Sequence, residues 1–300
     1  MISGYISDGT RQARTFGFPT ANLTTFTKNE PGIFFAKARV ENNKQEDCVV
    51  YISSRNLNLV ECHILGLGGA WAELYGKKMD IELVAKIRDD NADFVYYDDI
   101  VFQISRDVLV AKAMSSVCGG SSPKRLAVAF SGGKESCIIV DLLSRVGLLK
   151  NCDLIHFRKT GAADLDPVQT EFMDEFVQNY GTSFTVREYS DEGGSMETCV
   201  KEHIDGKYDV CFVGDRLSDR KNYAKKWMEL TETVHPLNGW TYADVWDYIE
   251  NFGVAVSPLY SLGYSSVGYN VEKNVLLCGK DGASFRHASK LKSFGSERNL

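Results

Sequence analysis

Proline is scarce, six in 300 residues, and with 44% hydrophobic and 25% charged residues this excludes collagen-like and disordered chains. Long apolar stretches are also missing. The longest, such as residues 126–130, run to about five residues, against the roughly 20 that span a bilayer. The start, Met1-Ile2-Ser3-Gly4-Tyr5, lacks the basic residues and apolar stretch of a secretion signal, so no membrane segment is expected and the cytoplasm is the expected compartment. Neither half has a basic surplus: residues 1–116 carry 13 Lys and Arg against 15 Asp and Glu, and residues 117–300 carry 21 against 25. That balance argues against a nucleic-acid binder, so any phosphate handled here belongs to a small molecule gripped by a few local groups. No obligate protein partner is evident. The eight cysteines include no Cys-x-x-C pair and no close Cys/His group, which predicts buried thiols rather than a zinc site or disulfides.

What is present suggests two domains, because 300 residues exceed one average domain. Residues 115–123, Ser-Ser-Val-Cys-Gly-Gly-Ser-Ser-Pro, read as a linker between residues 1–114 and 124–300. Before it, short strand-like runs at 33–40, 48–52, 60–65 and 79–87 precede a helical spacing of Val101, Ile104, Val108 and Ala111, which predicts a β-barrel or sandwich closed by one helix. After it, apolar runs at 126–130, 153–157, 184–189 and 210–213 alternate with helical patterns such as Phe172, Phe176 and Tyr180. Strand–helix alternation at that pitch predicts a parallel α/β sheet.

Run 126–130 leads straight into Ser131-Gly132-Gly133-Lys134-Glu135-Ser136 and then an apolar helix start. Glycines allow backbone N–H groups to turn toward an anion, a helix N-terminus adds its dipole, and Lys134 adds a mobile cation. The glycine spacing is not that of a Walker A loop. The segment resembles the pyrophosphate loop of the PP-loop ATP pyrophosphatases, with Glu135 where that family usually has Asp.

Run 210–213 continues into Gly214-Asp215-Arg216-Leu217-Ser218-Asp219-Arg220, at the sheet edge where α/β folds bind ligands. Thr241 and Asp244 read as the cap of a helix containing Val245, Trp246, Tyr248, Ile249 and Phe252. Pro236-Leu237-Asn238-Gly239-Trp240 precedes it, and Ser257-Pro258-Leu259-Tyr260 followed by Gly263-Tyr264-Ser265-Ser266-Val267-Gly268 comes after it. Together these segments resemble the eukaryotic-type FAD synthase (FMN adenylyltransferase) family, a branch of the PP-loop proteins related to PAPS reductases. The resemblance covers residues 124–300. Arg220 replaces the proline of that family's Arg-x-Ser/Thr-Asp-Pro turn, and Glu297-Arg298-Asn299-Leu300 keeps only the first half of its flavin-contacting tail. PAPS reductases themselves use a Cys in a C-terminal Glu-Cys-Gly-Leu-His segment, and no Cys follows Cys278 here.

The first domain carries a separate resemblance. Gly17-Phe18-Pro19-Thr20-Ala21-Asn22, Pro31-Gly32-Ile33-Phe34, Val60-Glu61-Cys62-His63-Ile64-Leu65 and Leu74-Tyr75-Gly76 are similar to motifs of riboflavin kinases. The loop before Pro19 holds a single glycine at its start, Gly9, and the segment 51–56 is shortened relative to that family.

The resemblances imply a riboflavin kinase-like β-barrel closed by a helix, fused to a Rossmann-like PP-loop parallel sheet with flanking helices. They imply FAD biosynthesis from riboflavin, FMN and ATP with magnesium (Mg2+). In the second domain Lys134, Arg216 and Asp219 are the implied catalytic groups, and Ser131, Gly132, Gly133 and Ser136 take the leaving pyrophosphate. Trp240 and Arg298 are expected near the flavin. In the first domain Thr20 and Asn22 bind metal and ATP phosphates and Glu61 is the general base; Asp219 is a second implied metal ligand. A degenerate kinase domain, another PP-loop ATP pyrophosphatase and a flavin-binding module are the alternatives.

Overall fold

A computed structural model describes residues 1–9, 12–25, 27–56, 58–67, 73–90, 97–118, 125–160, 166–190, 195–217, 233–268 and 271–291. The chain divides into two compact units, Met1–Ser115 and Ser116–Leu300.

In the first unit β1 (Ile2–Ser7), β2 (Ala21–Thr24), β3 (Gly32–Val40), β4 (Glu46–Ile52), β5 (Leu59–Ile64) and β6 (Lys78–Arg88) form a closed antiparallel barrel in the order β1-β2-β5-β4-β3-β6. The barrel reading therefore holds over the sandwich. Alternation is the cause: Val60, Cys62 and Ile64 of β5 point into the core with Ala21 and Leu23 of β2, while Glu61, His63 and Asn22 fall on the outer face. Each fully buried aliphatic side chain in that core contributes about 1.5–3 kcal/mol. Strand β6 pairs with both β1 and β3, and its register against β3 shifts at Ile33/Phe34 and Phe35/Ala36, irregularities of the kind that bend a sheet toward closure. The one-turn helix α1 (Gln12–Thr15) precedes β2, and α2 (Tyr97–Cys118) follows the barrel. Arg88 anchors α2 through a two-point contact to Asp107 at 2.9 and 2.8 Å, and Ser115 Oγ donates to Asp47 at 2.5 Å. Residues 115–118, expected as linker, are the last turn of this helix, because Ala111, Met114 and Val117 continue its apolar spacing and all three are buried. Residues 119–123 lie outside the described residues.

The second unit contains β7 (Leu126–Ala129), α3 (Lys134–Arg145), β8 (Cys152–Lys159), α4 (Pro167–Asn179), β9 (Phe184–Tyr189), α5 (Met196–Ile204), β10 (Val210–Phe212), β11 (Thr233–Val234) and α6 (Tyr242–Phe252). Its strands form a parallel sheet in the order β11-β10-β7-β8-β9. On one face Cys199, Val200 and Ile204 of α5 pack with Ala127, Ile155 and Cys211. On the other, Phe130 lies between Phe176 of α4 and Phe184, ring centroids 5.9 and 5.6 Å away. Local chemistry sets the helix ends. Asp166 caps α4 by accepting from Val168 N with Pro167 behind it, and Thr241 with Asp244 forms the anticipated capping box of α6.

The chain runs outward from β7 to β8 and β9, then returns to the other side of β7 as β10. The carboxyl ends of β7 and β10 therefore flank the point where the strand order reverses, the position at which open α/β sheets bind ligands. Six cysteines, 48, 62, 137, 152, 199 and 211, are buried thiols, and Cys118 and Cys278 are half-buried. Among the described residues no helix is long and apolar enough to cross a membrane.

Candidate active sites

At this switch point of the second unit, β7 ends at Ala129 and α3 begins at Lys134, with Gly133 as an N-cap that supplies no side-chain acceptor. The first-turn N–H groups are thus left for other partners. Gly132 has φ +70°, and a Cβ there would fall 2.4 Å from Met173 Cγ and 2.6 Å from Gln169 Nε2, so glycine is required twice over. Two buried side chains draw the loop carbonyls back. His156 Nδ1 donates to Phe130 O at 3.0 Å, and Gln169 Nε2 donates to Gly132 O at 3.2 Å. The hydroxyls of the loop serve its own amides: Ser131 N donates to Ser136 Oγ at 3.3 Å and Gly133 N to Ser131 Oγ at 3.2 Å.

Two cations are buried beside this loop, Lys134 at 1% and Arg216 at 2% exposure. A buried charge is costly unless paired and hydrogen-bonded. Here Lys134 Nζ donates to Ser265 O at 3.2 Å and lies 3.1 Å from Glu135 Oε1, with the rings of Tyr242 and Tyr260 5.3 and 5.4 Å away. Arg216 Nη2 reaches the same Glu135 Oε1 at 3.5 Å, and its guanidinium lies 5.7 Å from the Tyr242 ring. This convergence depends on Gly214, where a Cβ would sit 3.0 Å from the Glu135 carbonyl carbon and the Ser136 nitrogen. Tyr260 accepts from Lys134 N at 3.1 Å, and burial pushes its hydroxyl well above the usual tyrosine range, which keeps the proton on it. Asn274, fully buried, donates through Nδ2 to Ser265 Oγ at 3.0 Å and through its backbone N to Gly263 O at 2.8 Å, which fixes the segment that offers its carbonyl to Lys134. His235 pairs with Asp215 next to Arg216.

Ser131, Gly132, Gly133, Lys134, Ser136 and Arg216 are thereby brought together. Trp240 is not part of this group: it is 4% exposed and packs against Tyr248 at a centroid distance of 5.3 Å, which leaves its ring almost no surface to offer a flavin. Asp219 and Arg298 lie outside the described residues. Sequence reasoning assigned no role to Tyr242, Tyr260, Ser265, Gln169 or His156. Tyr260 and Ser265 fall inside the segment read as a motif, but their contact with Lys134 spans more than 120 positions.

In the first unit the β2–β5 register sets Asn22 directly opposite Glu61, so both side chains leave the outer face together. Thr20 Oγ1 donates to Glu61 Oε2 at 3.2 Å. Burial raises the Glu61 pKa above the usual carboxylate value, and the Thr20 hydrogen bond offsets part of that rise. His63, two residues further along β5, donates through Nδ1 to Pro19 O at 2.8 Å and meets Phe18 edge-on. That contact ties the segment before Thr20 to the strand carrying Glu61. A hydroxyl, a side-chain amide oxygen and a carboxylate are hard oxygen donors, too few to enclose magnesium alone but suited to an ion that also takes water and ATP phosphate oxygens.

Comparison with known proteins agrees with this division. Residues 1–115 match the riboflavin kinase (Flavokinase) family, and residues 125–271 match the phosphoadenosine phosphosulfate reductase domain family. A bifunctional riboflavin kinase/FMN adenylyltransferase of Haemophilus influenzae is 30% identical over 119 residues, 37% of this chain and 37% of that protein. A probable FAD synthase of Caenorhabditis briggsae is 24% identical over 212 residues, 66% of this chain and 38% of that protein. The chain thus spans little more than a third of the length of these relatives. The crystal structure of Candida glabrata FMN adenylyltransferase in complex with ATP superposes with a TM-score of 0.56 at 14% identity, covering 69% of this chain and 90% of that one, a likeness of fold. Each of the two family matches thus falls within one of the two compact units of the fold.

Proposed function

We propose that the protein makes FAD in two steps, riboflavin to FMN in residues 1–114 and FMN to FAD in residues 124–300. The observation that carries the second step is the meeting of buried Lys134 and buried Arg216 at the start of α3, where the strand order reverses. Such a site suits a polyphosphate. The FMN phosphate oxygen attacks the α-phosphorus of ATP, the bond to the β-phosphate oxygen breaks, and pyrophosphate leaves. Backbone N–H groups of residues 132–134, Lys134 and Arg216 stabilise the charge that builds on the leaving group. The Ser131 and Ser136 hydroxyls, which meet the Gly133 and Ser131 amides in the ligand-free loop, give way to it. Asp219 is proposed to bind magnesium, and Arg298 to lie near the flavin.

In the first step Glu61 accepts the proton of the riboflavin ribityl hydroxyl as that oxygen attacks the γ-phosphorus of ATP and ADP leaves. Its raised pKa brings the base closer to neutrality, and Thr20 orients the carboxylate. Thr20 and Asn22 would hold magnesium, which when bound neutralises phosphate charge. The names of the Haemophilus and Caenorhabditis relatives support this reading, as does the likeness of fold to FMN adenylyltransferase.

The test is incubation with ATP, magnesium and either FMN or riboflavin, with products separated by chromatography. FAD from FMN is expected, with one pyrophosphate released per FAD; no FAD above a boiled control overturns the second step. FMN from riboflavin is expected too. FAD formed from FMN but never from riboflavin would assign the first domain a purely structural role.

A further inference from the structure

We propose that Glu135 is a built-in anion that occupies the polyphosphate site, holding Lys134 and Arg216 until a phosphate chain displaces it. This deepens the reading of the 131–136 loop as a phosphate site and rests on it. Three observations lead there. A single oxygen, Glu135 Oε1, meets both cations, at 3.1 and 3.5 Å. Among these three side chains the anion alone is partly open to solvent, 17% against 1% and 2%, so it can leave while the cations stay. The loop amides are filled in the same way, by hydroxyls: Ser136 Oγ on Ser131 N, Ser131 Oγ on Gly133 N, and Tyr260 Oη on Lys134 N.

In the ligand-free site one carboxylate thus answers both cations in part, and hydroxyls answer the Ser131, Gly133 and Lys134 amides. Binding a polyphosphate becomes an exchange in which one carboxylate swings into water and phosphate oxygens take over its cations. The carboxylate lowers the affinity for any anion, and it lowers it most usefully for pyrophosphate, which must depart after each turnover. Glutamate suits the role better than aspartate because the extra methylene lets the side chain fold back from the first turn of α3 to both cations.

Binding of inorganic pyrophosphate to the full chain, measured by titration calorimetry first in EDTA and then with magnesium, tests this. Glu135→Gln keeps the shape and removes the charge, and it should bind pyrophosphate in EDTA about tenfold tighter than the unmodified protein. Glu135→Asp, which keeps the charge but loses reach, should bind tighter by a smaller factor. Should Glu135→Gln fail to fold because two buried cations lose their shared carboxylate, Glu135→Asp carries the same expectation. Affinity unchanged or reduced in EDTA overturns the proposal, and a loss seen only with magnesium would assign the carboxylate to the metal instead. If the unmodified protein binds pyrophosphate and the variants bind no tighter, the phosphate-site reading survives and this inference alone falls. If neither the unmodified protein nor the variants bind, both fall.

Discussion

Lys134 is fully buried, with Ser265 O and Glu135 as its partners, so Lys134→Ala removes a preorganised cation from the loop. Adenylyl transfer from ATP to FMN is expected to drop by roughly 10²–10³-fold, about 3–4 kcal/mol of transition-state stabilisation, as measured by steady-state FAD formation. Riboflavin phosphorylation by the same variant should not change. In the first domain Glu61→Gln keeps the Thr20 contact and loses the base, and FMN formation should fall by roughly 10²–10⁴-fold. The sign of the pH effect follows from burial. A base must be ionised to accept a proton, and the Glu61 pKa is raised, so phosphorylation should decline on acidification at a pH above that expected for an ordinary carboxylate. A pH–rate profile unchanged by Glu61→Gln would contradict the assignment.

Among the elements, the junction of β7, α3 and β8 combines strain with titration. Gly132→Ala places a Cβ in the Met173 side chain at φ +70°, so both the backbone and the neighbour must move; loss of FAD formation is expected, with a lower melting temperature for the second unit. His156 bridges β8 to the end of β7, and burial lowers its pKa below the ordinary value of about 6.5. The unfolded chain therefore takes up this proton first. The His156 contribution to stability is complete above about pH 6.5 and shrinks as pH falls below it, until the folded-state pKa is reached. His156→Asn keeps a donor toward Phe130 O and cannot titrate, so thermal melts between pH 5 and 7 should show a shallower dependence on pH. Elements differed in how legible they were. The runs at 126–130, 153–157 and 210–213 appear as β7, β8 and β10 within about two residues because an interior parallel strand needs apolar side chains on both faces, whereas β9 at the sheet edge is largely exposed and was legible from its β-branched and aromatic residues. Strands β1, β2 and β11 escaped, since two of them are four residues or fewer and β1 carries Ser3, Gly4 and Ser7. Such strands are specified by pairing partners, not by their own pattern.

For the molecule as a whole, each unit has its own hydrophobic core, one inside the barrel and one under α5. A chain ending after Cys118 is expected to fold and to phosphorylate riboflavin while forming no FAD, as judged by circular dichroism and product chromatography. Failure of that fragment to fold would mean that the barrel depends on residues beyond α2. The weak net charge of −6 fits ligand phosphates met by a few buried cations rather than by a basic surface. By itself the sequence determined the kinds of groups available: a glycine pair before a helix, a lysine and an arginine after two strands, and a Thr-x-Asn with a Glu on a later strand. These are local facts, set by periodicity of 2 or 3.6 residues and by turn chemistry. Only the tertiary structure decided how the groups are neutralised. Placing β10 beside β7 brings Arg216 to Glu135, and the segments after α6 bring Tyr260 and Ser265 to Lys134. The same packing buries Trp240 against Tyr248. Contacts across more than a hundred positions follow from strand order and core packing, and no local pattern encodes them.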